Sequence, residues 1–176
     1  MPNWTQNRVV ITCEEADVNA LVTAVKSEES PFDFDRIIPL PKELEIPAGS
    51  DMSIGLEFLQ KHPDGKPRQG EEPPTEKQLD LGRKALENIR KYGSASWYDW
   101  CINNWGTKWN AAMVNVLRES PNRVVFTFDT AWAAPLPIAE ALVSQFGKVW
   151  IEWRYLNEED WSEDAERDLR QWSPLI

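Results

Sequence analysis

The chain carries few of the side chains on which enzymes build their chemistry. Its one histidine, His62, lies in the run His62-Pro63-Asp64-Gly65, with no second histidine or cysteine at metal-ligand spacing, so a zinc site is not expected and His62 reads as a turn residue. The two cysteines, Cys13 and Cys101, lack the spacing of a disulfide framework or zinc knuckle and read as buried free thiols. There is no glycine-rich phosphate loop and no GxSxG elbow, and a Ser-His-Asp triad would have to draw on His62. Carboxylate pairs such as Asp33 with Asp35, or Glu158 with Glu159, are too common on solvated faces to mark an acid–base dyad. The most that a catalytic reading can assemble is Lys108, Asn110 and Asp129 as polar groups near a sheet. The expected class is a non-enzyme with no cofactor and no metal.

Recognition is the chemistry that remains. Nine of the ten tryptophans fall between Trp97 and Trp172, and an indole offers a large apolar face with one N–H donor. Net charge is −10, which disfavours direct nucleic-acid binding because phosphate affinity comes from clustered Lys and Arg. Acids concentrate in two stretches: Glu14 to Asp35 and Asn157 to Asp168 each hold seven, against one base apiece, Lys26 and Arg167. Such stretches serve either solubility or attraction to a basic partner. The candidate partner-binding residues are Glu158, Glu159, Asp160, Glu163 and Asp164 with Trp150, Trp161 and Trp172. No run of apolar residues is long enough for a membrane span, the start lacks a secretory pattern, and a cytoplasmic location in a bacterial host is expected.

These side chains need elements to position them. Arg8 to Thr12 is a β-branched run and predicts a strand; Val18, Leu21, Val22 and Val25 follow at helical spacing. Phe32 and Phe34 alternate with Asp33 and Asp35 ahead of Pro39 and Pro41, which predicts a short edge strand. Residues 42–74 are polar and rich in Pro and Gly and read as a loop, closed by the capping box Thr75 to Gln78 of a helix that stops at Gly93, with Leu79, Leu86 and Ile89 as its buried stripe. A second helix runs from Ser96 to about Asn104. Thr107 to Leu117 and Arg123 to Thr130 form a hairpin, with Val124, Phe126 and Phe128 inward and Val125, Thr127 and Asp129 outward. A helix opened by Pro137 and ended by Gly147 leads to a strand from Val149 to Tyr155. The last segment, 157–172, predicts an acidic helix capped by Asn157, stapled by Leu156 onto Trp161, with Trp161, Ala165, Leu169 and Trp172 as its apolar stripe.

With residues 31–105 set aside as an insertion holding the 42–74 loop and two helices, the order βαββαβ remains. That is the order of a ferredoxin-like split βαβ sheet, here with an extra C-terminal helix, and it predicts one α+β domain over residues 1–176.

Four sequence blocks also carry a family resemblance. Pro2-Asn3-Trp4 with Asn7-Arg8, Arg36-Ile37-Ile38-Pro39-Leu40-Pro41, Asn104-Trp105-Gly106-Thr107-Lys108-Trp109-Asn110, and Phe128-Asp129-Thr130-Ala131-Trp132 together resemble the YubB-like proteins of phages and plasmids. The resemblance covers residues 2 to 132 and implies a ferredoxin-like domain and an origin on a mobile element. The family is essentially of unknown function, so it supplies no catalytic residue. This chain departs from it in the acidic segment holding Trp161 and Trp172.

The expected function is a non-catalytic binding protein of a mobile element. It would be an acidic inhibitor, anti-CRISPR-like or phosphate-mimicking, that docks on a basic surface of a host nucleic-acid-handling defence complex. Two alternatives stay open: an RNA- or single-stranded-DNA-binding ferredoxin-like module that stacks bases on its aromatics, and a structural protein with no host partner.

Overall fold

The structure is a computed structural model describing residues 3–162 and 169–176. The chain divides into two compact units. One comprises residues 1–39 and 101–176; the other runs from Leu40 to Trp100 and so is shorter at both ends than the 31–105 insertion expected from sequence.

The first unit is a mixed α+β assembly around a five-stranded antiparallel sheet. Its strands are β1 (Trp4–Thr12), β2 (Ala112–Ser120), β3 (Arg123–Ala131), β4 (Trp150–Asn157) and the short β5 (Ser173–Pro174), in the order β2-β3-β1-β4-β5. Central strand β1 pairs with β3 on one side and β4 on the other, with Val9 facing Phe126 and Trp153. Because side chains alternate along a strand, this register places Val9, Ile11, Val124, Phe126, Phe128 and Trp153 on one face, all buried. Phe32 packs into that face, with its ring centroid 4.9 Å from Phe126, 5.1 Å from Phe128 and 6.1 Å from Trp153. Helix α1 (Glu15–Val25) packs on β3, and the buried stripe of α6 (Leu136–Gln145) is Ile138, Ala139 and Leu142.

Strand β1 begins four residues earlier than its apolar run. Thr5 and Asn7 are polar yet buried on the core face, which breaks the apolar alternation. Asn7 explains the exception: it accepts the Trp153 Nε1–H at 3.1 Å and donates through Nδ2 to Thr130 Oγ1 and Thr5 O, each at 2.9 Å. One side chain thus satisfies polar groups on three adjacent strands.

The Phe32 to Asp35 run is not a strand. It enters a one-turn helix, α2 (Phe34–Ile37), capped by Asp33, whose Oδ1 accepts Asp35 N–H at 2.9 Å. Asn110 locks the turn, donating to Asp33 Oδ1 at 2.6 Å and accepting Phe34 N–H at 2.9 Å. Alternation in sequence thus reflects two phenylalanines entering one core from a turn. Strand β2 also starts later than expected, at Ala112.

The second unit contains α3 (Ser50–Lys61), α4 (Glu76–Tyr92) and the start of α5 (Trp97–Trp105). Both hydrogen bonds of the Thr75–Gln78 capping box form, and Gly93 ends α4 at φ 73°. Segment 42–74 is not a continuous loop, since α3 lies within it. Gly55 hides this helix in the sequence because glycine disfavours helix interiors, but here it is the contact. A Cβ on Gly55 would fall 1.7 Å from Gln78 O, and one on Gly82 would fall 2.4 Å from Gly55 C. The two backbones touch, which rotates the buried face of α4 to Leu81, Gly82, Ala85 and Asn88 and leaves Ile89 exposed.

The described residues of the 157–172 segment do not form the expected helix. Asn157 ends β4, Glu158–Asp160 is a single 3-10 turn, Trp161 is extended, and Leu169–Gln171 is another 3-10 turn before β5. The cap is absent because Asn157 Oδ1 instead accepts the Thr5 hydroxyl at 3.1 Å. Leu156 packs on Trp172 rather than Trp161. Ala165 and the rest of 163–168 lie outside the described residues.

Gly82→Ala should lower stability by about 1–3 kcal/mol, because overpacking here pushes backbone against backbone. Urea unfolding measures it; a loss within error would show that α3 and α4 are not in direct backbone contact.

Candidate functional site

The residues expected to bind a partner do not form one patch. Trp150 faces Thr12 and Asn157 faces Thr5, so Trp150 and Asn157 lie at opposite ends of β4, about 23 Å apart at strand rise, with Glu158 following Asn157. Trp150 is 73% exposed and Trp161 50%, whereas Trp172 is only 8% exposed. Burial against Leu156 removes Trp172 from the set of accessible indoles. Glu158, Glu159 and Asp160 are exposed, and Glu158 is already engaged, its Oε2 accepting Trp4 N–H at 2.7 Å. Glu163 and Asp164 lie outside the described residues.

At the Trp4 end of β1 the structure assembles a cluster of indoles, Trp4, Trp109 and Trp132. The rings of Trp4 and Trp109 are 6.2 Å apart, and Lys108 Nζ stands 4.4 Å from the Trp109 ring and 5.0 Å from that of Trp132. Trp109 is 38% and Trp132 48% exposed. By strand alternation Trp132 belongs with Val124, Phe126 and Phe128 on the core face. Its left-handed backbone, φ 73°, turns it out, and its N–H donates to Asn3 O at 2.9 Å. A bulky residue in this region is strained, and such strain persists only where surrounding structure holds it. Trp100 and Trp105 are buried, with Trp105 Nε1 donating to Ile38 O at 2.8 Å.

Lys108, Asn110 and Asp129 do not converge. Lys108 belongs to the indole cluster and Asn110 to the Asp33 turn. Asp129 lies on the other face of the sheet, lining a cavity of about 570 Å³ with Gln6, Arg8, Asn115, Thr127 and Trp172. Gln6 faces Asp129 and Arg8 faces Thr127 across β1 and β3, and a bulge between Ala112 and Asn115 in β2, with Met113 at φ 52°, forms the rim. This face is not wholly polar, because Val10 and Val125 are buried on it. Gln6 Oε1 is buried without a hydrogen-bond partner among the described residues. Among the described residues, neither the Arg8 guanidinium nor the Asp129 carboxylate makes a hydrogen bond or ion pair. Burial pushes the Asp129 carboxyl above its ordinary 3.8.

In the second unit, His62 opens the turn expected of it, its carbonyl accepting the Gly65 N–H at 2.8 Å, and its side chain is buried. Its Nε2 lies 2.9 Å from Glu71 Oε2, and its ring centroid is 4.7 Å from that of Phe58. Lys61, bonded to Glu71 at 2.7 Å, holds that carboxyl below its usual range, aided by the Arg68 N–H. Among the described residues no group of three or more His, Cys, Asp or Glu could hold a metal ion. Both cysteines are free; Cys101 is buried, which pushes its thiol up to about 12, and Cys13 is partly exposed. No helix among the described residues is long and apolar enough to cross a membrane.

No family model matches the sequence, and no curated protein matches it. Among solved structures, the crystal structure of protein api92 from Yersinia pseudotuberculosis, of the family model DUF1281, is similar to this chain. The likeness covers 89% of this chain and 90% of that one, at 12% identity and a TM-score of 0.48.

Asp129 supplies a pH test. Its folded carboxyl titrates above the unfolded value near 3.8, so the group's stabilising contribution is complete below that pH and is lost as pH rises through the folded value. Asp129→Asn should therefore gain stability over wild type as pH is raised from 3.8 toward neutrality. Urea melts across that range read it, and a pH-independent difference would contradict the burial of this carboxyl.

Proposed function

We propose that the chain is a non-catalytic binding protein of the phage and plasmid type, built on a ferredoxin-like split βαβ sheet. It docks on the basic surface of a host protein and acts as an acidic inhibitor of a nucleic-acid-handling defence complex. The fold reading is supported by the antiparallel order β2-β3-β1-β4 and by the helices between β1 and β2 and between β3 and β4.

The observation that carries the docking reading is the exposed pair Trp109 and Trp132, held in place by Lys108 and by the left-handed backbone at Trp132. Indoles left in water while fixed in orientation suit recognition, because little side-chain freedom is lost on binding and tryptophan is enriched among the residues that dominate interface energies. The acids Glu159 and Asp160 follow β4 at the end where Glu158 bonds Trp4, so charge and indoles share one end of the sheet. Charge there accelerates encounter with a basic partner, and the indoles slow its departure.

Capture from host lysate by immobilised protein should yield a specific partner whose recovery falls at least about tenfold with Trp109→Ala plus Trp132→Ala, a loss of about 1.4 kcal/mol or more. Glu159→Lys plus Asp160→Lys should weaken capture most at low salt. Undiminished recovery by both folded variants would remove the reading.

A further inference from the structure

The cavity between β1, β2 and β3 is separate from the indole cluster and poses a different chemical question. Arg8 and Asp129 stand at diagonal positions of neighbouring strands on the same sheet face, about 7–8 Å apart at the backbone. Opposite charges so placed on a partly buried surface ordinarily pair, because each loses hydration. Here neither has a partner among the described residues. Gln6 lies between them, two residues from Arg8 and opposite Asp129, with its carbonyl oxygen buried and unbonded. The three groups leave one donor set and two acceptors unanswered, all lining the same cavity.

On its other side Arg8 faces Arg154 across β1 and β4. Like charges directly opposite are unfavourable. Arg154 answers through Glu152, to which its Nε donates at 2.7 Å, whereas no described carboxylate reaches Arg8. An anionic group at Arg8 relieves that repulsion. At Asp129 the requirement is reversed: burial perturbs this carboxyl, and among the described residues no cation offsets it. A cationic donor supplies the missing charge and can also reach Gln6 Oε1.

We propose that this cavity binds a free α-amino acid as its zwitterion, the carboxylate on the Arg8 guanidinium and the ammonium between Asp129 and Gln6 Oε1. The ligand's two charged groups sit on one carbon skeleton a few ångströms apart, which suits two protein charges held diagonally across adjacent strands. Other ligand classes satisfy only part of the site. A phosphate answers Arg8 but is repelled by Asp129, a polyamine does the reverse, and an apolar molecule leaves all three polar groups desolvated. The indole of Trp172 and the thioether of Met113 wall the remaining space, so the preferred amino acid carries a large apolar side chain. A volume of about 570 Å³ is of the size that small-molecule sites use.

Isothermal titration calorimetry of the full chain against each free proteinogenic amino acid tests the assignment. The expected result is saturable binding of at least one large apolar amino acid. Its amide, which lacks the carboxylate, and its N-acetyl form, which lacks the ammonium, should each bind at least about tenfold more weakly. Arg8→Met and Asp129→Asn should each reduce affinity by a similar factor. Arg8→Lys, which keeps the charge without the two-pronged donor geometry, should give an intermediate loss. Thermal melts establish that each variant is folded, and amide shifts at Gln6, Arg8, Thr127 and Asp129 on titration locate the site in wild-type protein independently of any variant. Absence of saturable binding by any amino acid at low-millimolar concentration overturns the proposal. So does binding that is indifferent to loss of the carboxylate or of Arg8.

Discussion

The packing of Phe32 onto one face of the sheet fixes which way the side chains of its central strands point. Its ring meets Phe126, Phe128 and Trp153, residues from two strands that flank β1. Each aromatic side chain removes roughly 150–250 Å² from water, so this cluster dominates the apolar burial of the sheet. Alternation does the rest. Once Val9, Phe126 and Trp153 are committed to the core, Gln6, Arg8, Thr127, Asp129 and Arg154 must point the other way, and a slip of one residue would exchange the two sets.

Polar groups inside the core reinforce that choice. Asn7 holds the Trp153 indole N–H and reaches Thr130, which in turn donates to Ala133 O at 2.8 Å. A shifted strand would leave these buried groups without partners, at about 1–3 kcal/mol each. Asn110 does the same for the Asp33 turn that delivers Phe32 and Phe34. The same register sets Arg8 diagonal to Asp129 and opposite Arg154, so the charges of the second face are positioned by the core beneath them.

What the sequence made legible was local. The capping box at Thr75 and the stop at Gly93 bound α4, Pro137 opens α6 from its first turn, and the alternation of Val124, Phe126 and Phe128 marks β3. What it concealed depended on distant partners. Gly55 sits in a helix interior only because Gly82 is beside it, and Thr5 and Asn7, ahead of the β-branched run from Arg8, join the strand through the groups they bond. Asn157 and Glu158 look like the start of a capped helix, but Thr5 and Trp4 take their side chains. Among candidate site residues, the outward direction of Asp129 followed from alternation alone. Its relation to Gln6 and Arg8 needed β1 beside β3, a pairing between segments more than a hundred residues apart. Trp132 was concealed by one backbone angle.

The organisation described here rests on Arg8 and Asp129 sharing a sheet face without pairing. Carboxyl-detected NMR titration of Asp129, in wild type and in Arg8→Met, measures that directly. The Asp129 carboxyl should titrate above 3.8 in both proteins, unchanged by removal of the guanidinium, because burial and not Arg8 sets it. A wild-type value below 3.8 that rises when Arg8 is replaced would show that the two charges form an ion pair, with the face closed on itself.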